Sequence, residues 1–253
     1  MNIAFLSAIV PIIILLIFIY CKDKYQHEPL GKLILTFFVG CLSVIPAALQ
    51  ETVLMPLAPS ADVMPVLNGI FDGYVVAGFS EELWKLILLM LVIWKSPHFD
   101  EYFDGIVYAA YLSLGFACVE NIGYVMQGDD QMATALMRGL LAVPAHFLFA
   151  VIMGYHLSLA KFDLSRRSRH LLHALLYPVL MHGTYDALLM ISSNLSGDGE
   201  SFGIVCGVLF IVFIVFDVKM WRWGLKRIKK MQERSREQGF DRLHPFDGFT
   251  WDF

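Results

Sequence analysis

The chain has 253 residues, 57% hydrophobic and 17% charged, with a formal net charge of −4 and a mean hydropathy of +0.62. A soluble domain of this size carries about a quarter charged residues, so a water-soluble fold is excluded, and no nucleic-acid partner is expected. Apolar runs of about 20 residues predict an all-α fold: a polytopic transmembrane helical bundle in a lipid bilayer, each helix satisfying its own backbone.

The first run, residues 3–20, has no basic residue before it and no small-residue cleavage site, and reads as a retained helix. Lys22, Lys24 and Lys32 follow it. The second, residues 33–49, ends in Gln50-Glu51 and a loop with Pro56, Pro59 and Pro65 but no lysine or arginine. The third, residues 63–94, carries Phe79-Ser80-Glu81-Glu82-Leu83-Trp84-Lys85 and stops at Lys95-Ser96-Pro97, where proline bars continuation. The fourth, residues 103–126, closes on Gln127-Gly128-Asp129-Asp130. The fifth, residues 135–160, contains Pro144, which predicts a kink, and leads into Lys161, Arg166, Arg167 and Arg169. The sixth, residues 171–191, contains Pro178 and ends in a polar loop. The seventh, residues 202–218, enters a basic segment. Cys21, Cys41, Cys118 and Cys206 are scattered without a CxxC and do not form a disulfide framework.

About seven transmembrane helices with alternating loops give one topology. Of the 19 Lys and Arg residues, all but Lys85 and Arg138 fall in loops one, three and five or in the tail; the even-numbered loops have none. The positive-inside rule puts the N-terminus outside and the C-terminus in the cytoplasm. Residues 1–221 are then the transmembrane domain and residues 222–253 a basic and aromatic cytoplasmic tail. The tail, charged with both signs, reads as a solvated, partly helical segment attracted to anionic lipid.

A charge at the bilayer centre costs roughly 2.5–3.5 kcal/mol on insertion scales, so Glu81, Glu82 and Lys85 together require a cause. The apolar runs also hold Glu120-Asn121, Arg138, His146, His156, His182 and Asp186. With a rise of about 1.5 Å per residue, four helices deliver ionisable groups to one outward-biased layer: Glu81 and Glu82, Glu120, His146, and His182 with Asp186. Glu81 with Lys85, and His182 with Asp186, are spaced i,i+4 and share a helix face. A carboxylate beside a histidine fixes its tautomer, as a metal ligand or proton-transfer group needs. Lys85 neutralises one glutamate and leaves the other to hold a water or a metal. Taken singly, Glu81–Lys85 is an ion pair between helices, His156 an interior histidine, and Asn121 and Arg138 packing or interfacial residues. The shared depth favours a functional site. Two classes fit it: a hydrolase, and a proton- or ion-coupled transporter using Glu, His and Lys as a relay, the latter disfavoured by the lack of inverted repeats and paired broken helices.

Glu81-Glu82-x-x-Lys85, the run Phe103-Asp104-Gly105-Ile106-Val107-Tyr108 leading to Gly115-Phe116-Ala117-x-x-Glu120-Asn121, His146, and His182-Gly183-x-x-Asp186 together resemble the PrsW family. So does Lys22-Asp23-Lys24-Tyr25 followed by Glu28-Pro29-Leu30. The wider group includes CAAX prenyl endopeptidases and bacteriocin-processing membrane proteins; Lys85 stands where the prenyl endopeptidase branch has a later arginine instead. The resemblance implies an intramembrane protease of the bacterial cytoplasmic (inner) membrane. It implies the first cut in an anti-sigma factor, a single-pass membrane protein substrate, near its extracytoplasmic side. The family's paired glutamates fall on Glu81 and Glu82, its second-motif glutamate on Glu120, and its later histidines on His146 and His182. Asp186 takes the Asn or Asp position of the wider group.

Peptide hydrolysis needs an activated water, an oxyanion stabiliser and a proton donor for the leaving amine. Two arrangements supply them. In one, Glu120, His146 and His182 bind Zn²⁺ and Glu81 or Glu82 is the base, a His2Glu set with an open water position. In the other, metal-free, a glutamate of the pair and His146 activate water while His182 and Asp186 stabilise the oxyanion. No HExxH is present, and ligands from separate helices have no diagnostic spacing, so both stay open.

Overall fold

A computed structural model of the chain describes residues 3–195 and 200–243. Among these every regular element is helical, in the order α1 (Ile3–Lys22), α2 (Leu30–Leu54), α3 (Pro65–Phe71), α4 (Ser80–Ile93), α5 (Asp104–Gln127), α6 (Gln131–Met137), α7 (Val143–Phe162), α8 (Arg167–Asn194) and α9 (Glu200–Leu243). π-Helical segments join α3 to α4 (Asp72–Phe79) and α6 to α7 (Arg138–Ala142), so residues 65–93 and 131–162 are two continuous rods. The second of these lies just before Pro144, where a kink is expected from the sequence. Proline has no N–H to donate to the Leu140 carbonyl, and its ring presses on that carbonyl, which widens the turn.

Among the described residues, six helices are long and apolar enough to cross a membrane: Ile3–Lys22, Leu30–Leu57, Asp104–Gln127, Gln131–Phe162, Leu164–Asn194 and Gly203–Gly239. The third of the seven expected runs, residues 65–93, is helical along its length, but Asp72, Glu81, Glu82 and Lys85 keep it outside that set. Its charges are turned inward, where Glu81, Glu82 and Lys85 are buried.

The centre of the bundle is α5 against α7. Inside the protein, 16 of the 24 residues of α5 and 17 of the 20 of α7 are buried, against four of the 20 of α1. The outer helices instead point Ile14, Leu42, Leu49 and Ile211 outward, a surface that lipid accepts. Small residues let the central pair approach: a β-carbon at Gly154 would overlap the Gly105 carbonyl. Ser113 Oγ donates to the His146 carbonyl at 3.0 Å, so the two helices run antiparallel and Glu120 arrives beside His146.

At the other end, the loop after α1 folds back on the start of α5. Asp23 and Glu28 are buried there, Glu28 N donates to Asp23 Oδ2 at 3.2 Å, and the Tyr108 hydroxyl donates to Glu28. Burial pushes the Asp23 carboxyl up to about 6 and the Glu28 carboxyl up to about 7. Asp104 Oδ2 accepts from Asp100 N at 2.9 Å and Glu101 N at 2.6 Å.

Helix α9 runs without a break past residue 222, where the tail was expected to begin. One face of this extension is packed, not solvated. Ile228, Met231 and Ser235, spaced three and four apart, are buried. Phe103 N donates to Ser235 Oγ at 2.9 Å, Gln238 Nε2 donates to the Asp100 carbonyl at 2.9 Å, and Gln232 donates to the Lys22 carbonyl. The aromatic end, residues 246–253, lies outside the described residues.

Candidate active site

Two π-helical segments aim the site. The first ends at Phe79, so Glu81 and Glu82 stand in the first turn of α4. Helix α8 packs closely on that segment because a glycine stands on each side of the crossing, with the Tyr74 ring against Gly183. A β-carbon at Gly78 would sit 3.0 Å from Gly183 N, and one at Gly183 would sit 2.9 Å from Tyr74 Cα. His182, next to Gly183, is thereby brought onto Glu82. The second segment immediately precedes the turn of α7 that carries His146. Such widened turns recur at functional positions in helices.

The buried centre is a set of short polar contacts. Lys85 Nζ lies 2.9 Å from Glu81 Oε2, 2.8 Å from Glu82 Oε1 and 3.2 Å from His146 Nδ1. Its ammonium sits 3.9 Å from the centre of the Phe116 ring. His182 Nδ1 is 2.9 Å from Glu82 Oε1 and 3.9 Å from Glu81 Oε2. On their other nitrogens both histidines meet a carboxylate: His146 Nε2 is 2.7 Å from Glu120 Oε2, and His182 Nε2 is 3.1 Å from Asp186 Oδ2. Phe149 stacks on His182 with ring centres 4.7 Å apart.

Both i,i+4 pairs expected from spacing, Glu81–Lys85 and His182–Asp186, therefore close. Glu120 is further held by Arg138 NH2 at 3.0 Å, and Arg138 Nε donates to Asn121 Oδ1 at 3.0 Å. Asn121 Nδ2 in turn donates to the Ala8 carbonyl at 2.7 Å, fixing this arm to α1. Arg138 and Asn121, expected as packing or interfacial residues, are part of the site's frame. His156 lies elsewhere, beside His170 and His173.

Glu81, Glu82, His146 and His182 each offer one ligand atom within 4.8 Å of the others, and all four are buried. Glu82 Oε2 is buried with no hydrogen-bond partner among the described residues. Imidazole nitrogens with carboxylate oxygens are a donor set for Zn²⁺ and related ions, so the residues fit a metal. Of the set Glu120, His146 and His182, the two histidines stand in this group, while Glu120 stands behind one of them. A relay for transport would string such groups along a path; here four converge.

Two cavities of about 290 Å³ each adjoin the cluster and share Glu120, Arg138 and Asp186. One also reaches His146, Phe149 and His182. The other reaches Glu81 and, across from it, Glu51 of α2. Glu51 carries no local signal in the sequence, because it lies past an apolar run at what reads as a loop start.

The family described as PrsW family intramembrane metalloprotease matches residues 28–217, a span that holds every residue of this centre. A Protease PrsW of Bacillus subtilis (strain 168) is 36% identical over 233 residues, covering 92% of this chain and 97% of its own length. A Protease PrsW of Clostridioides difficile (strain 630) is 33% identical over 251 residues, covering 94% of this chain and 95% of its own. No solved structure matches. The membrane-spanning helices and the buried Glu/His centre within the matched span agree with these likenesses: the chain belongs to the PrsW family and is a multi-pass intramembrane protease of a bacterial membrane.

Proposed function

We propose that this protease cuts a single-pass membrane protein of the anti-sigma-factor kind near its extracytoplasmic face, with Glu81, Glu82, His146 and His182 around one hydrolytic centre. One observation carries the reading: both histidines are tied by a carboxylate at Nε2 and turn Nδ1 toward the Glu81-Glu82-Lys85 group, His182 onto Glu82 and His146 onto Lys85. That is the arrangement in which outer carboxylates orient ligating histidines. The Lys and Arg distribution supports an N-terminus outside, which places the layer toward the outer side.

The roles divide by access. Glu81 borders a cavity, so it is the carboxylate that reaches a water and passes its proton to the leaving amine. Glu82 is fixed from two sides, by Lys85 and by His182, and serves as an anchor and ligand. His146 and His182, with Glu82, would hold Zn²⁺; bound there, the ion would acidify a water and polarise the scissile carbonyl. Lys85 balances the charge of the glutamate pair, Asp186 positions His182, and Glu120 with Arg138 positions His146.

The test is cleavage of a single-pass reporter by the purified protein in proteoliposomes, with the fragments weighed by mass spectrometry. A cut in the outer half of the reporter's membrane segment is expected; a cut in the cytoplasmic half, or none, overturns the reading. Metal content measured on the same preparation, with activity before and after chelation, tests the zinc part. Full activity with no bound metal would remove it.

A further inference from the structure

A second group of histidines lies at the far end of the helices that carry His146 and His182. His156 sits near the end of α7, about 15 Å along the helix from His146, and His170 and His173 are one turn apart near the start of α8. Each offers a ring nitrogen within 4.8 Å of the other two. Ring centres are 5.8 Å apart for His156–His170 and 5.2 Å for His156–His173. His156 is buried, and the other two are half-buried.

Packing alone does not account for them. His156 Nδ1 and His170 Nδ1 are both buried, and neither has a hydrogen-bond partner among the described residues. Buried polar atoms normally find partners, and two orphans in one cluster point to something that supplies them. On its other nitrogen His170 faces Asp163, with Nε2 3.8 Å from Oδ2. A carboxylate on one nitrogen of an imidazole is also what His146 and His182 carry at the reaction centre. The neighbouring Arg166, Arg167 and Arg169 are exposed.

We propose that His156, His170 and His173 form a second metal site, for a divalent first-row ion of the Zn²⁺ class, with three imidazole donors and an open position for water. Imidazole suits Zn²⁺, Cu²⁺ and Ni²⁺ alike, so the site selects a class and not one element. An ion bound at about 2.0–2.1 Å from each nitrogen draws the three together, a movement left to the half-buried His170 and His173. Asp163 orients His170 from behind. The bound ion clamps the end of α7 to the start of α8 and takes no part in cleavage.

The experiment uses the full chain without a histidine tag, carrying Glu82→Gln and His182→Gln so that the reaction centre no longer competes for metal. After equilibrium dialysis against Co²⁺, this protein should retain one cobalt per chain with the visible absorption of a four-coordinate site. Adding His173→Gln, or separately His170→Gln, should remove it. No bound cobalt in the parent, or cobalt that survives both substitutions, overturns the proposal. Elution volume and thermal midpoint without metal report whether each variant folds. Should neither fold, the cobalt X-ray absorption of the parent decides: three imidazoles support the site, and oxygen ligands alone overturn it. Because nothing here reads cleavage, a failure leaves the proteolytic reading untouched.

Discussion

The rings of His146 and His182 stand 5.3 Å apart with their planes at 86°, each bound at Nε2 by a carboxylate, with Nδ1 of His146 on Lys85 and Nδ1 of His182 on Glu82. Two helices that meet only through folding thus present two histidines in matching roles. In the proposed mechanism Glu120 and Asp186 position these rings. Asp186→Asn and Glu120→Gln should each lower kcat and metal affinity by about 10–100-fold with KM little changed. Cleavage kinetics and metal titration on the purified variants check this; a kcat within twofold of wild type for both would contradict it.

Lys85 is the charge on which the pair depends. Its ammonium is completely buried and touches both glutamates and His146. Lys85→Met leaves buried carboxylates without their counter-ion, and removing one partner of a buried pair costs about 3–5 kcal/mol. Adding Glu81→Gln to Lys85→Met should recover part of the loss, since the two sites are in contact and their effects cannot add. Thermal unfolding in detergent of the two single variants and the double variant measures this. An unchanged midpoint in Lys85→Met would show that the contact carries no stability.

The α5–α7 crossing gives a packing prediction. Gly154→Ala should destabilise by about 1–3 kcal/mol, because the new carbon meets the Gly105 backbone, which cannot move aside as a side chain could. Gly203→Ala is the control: nothing lies within 4 Å of a β-carbon there. Equal midpoints for the two variants would refute the close crossing.

The Asp23–Glu28 corner predicts a pH dependence. Both carboxyls are raised by burial, Asp23 from 3.8 to about 6 and Glu28 from 4.5 to about 7. The folded state therefore holds these protons more tightly than the unfolded chain. Their contribution to stability is complete below about pH 4 and is lost as pH rises through 6 to 7. The thermal midpoint should fall between pH 5 and pH 8, and Glu28→Gln should flatten the fall. A midpoint that rises over this range in wild type, with no change in Glu28→Gln, would contradict the assignment.

What could be read from the sequence is what depends on neighbours along one helix. The apolar runs specify helices, and the i,i+4 spacing of Glu81–Lys85 and of His182–Asp186 specifies contacts that do form. The common depth of Glu82, His146 and His182 also led to their meeting. Contacts between helices were less accessible. Lys85 is also three residues from Glu82, and only the packing of α7 brings His146 Nδ1 within its reach. Glu120 and His146 share a depth, which cannot say whether the carboxylate enters the centre or stands behind the ring. The π-helical turns have no compositional mark apart from Pro144. His156 looked like an ordinary interior histidine because His170 and His173 come from another helix whose rotation no spacing reveals.

If one buried cluster performs the hydrolysis, losing any member of it should stop the reaction. The measurement is single-turnover cleavage of a single-pass reporter in proteoliposomes, comparing wild type with Glu81→Gln, Glu82→Gln, His146→Asn and His182→Asn at matched thermal midpoints. Each of the four should lose cleavage by about a thousandfold or more while remaining folded, as expected for groups acting as one unit. Cleavage within tenfold of wild type in any folded member of the four would contradict it.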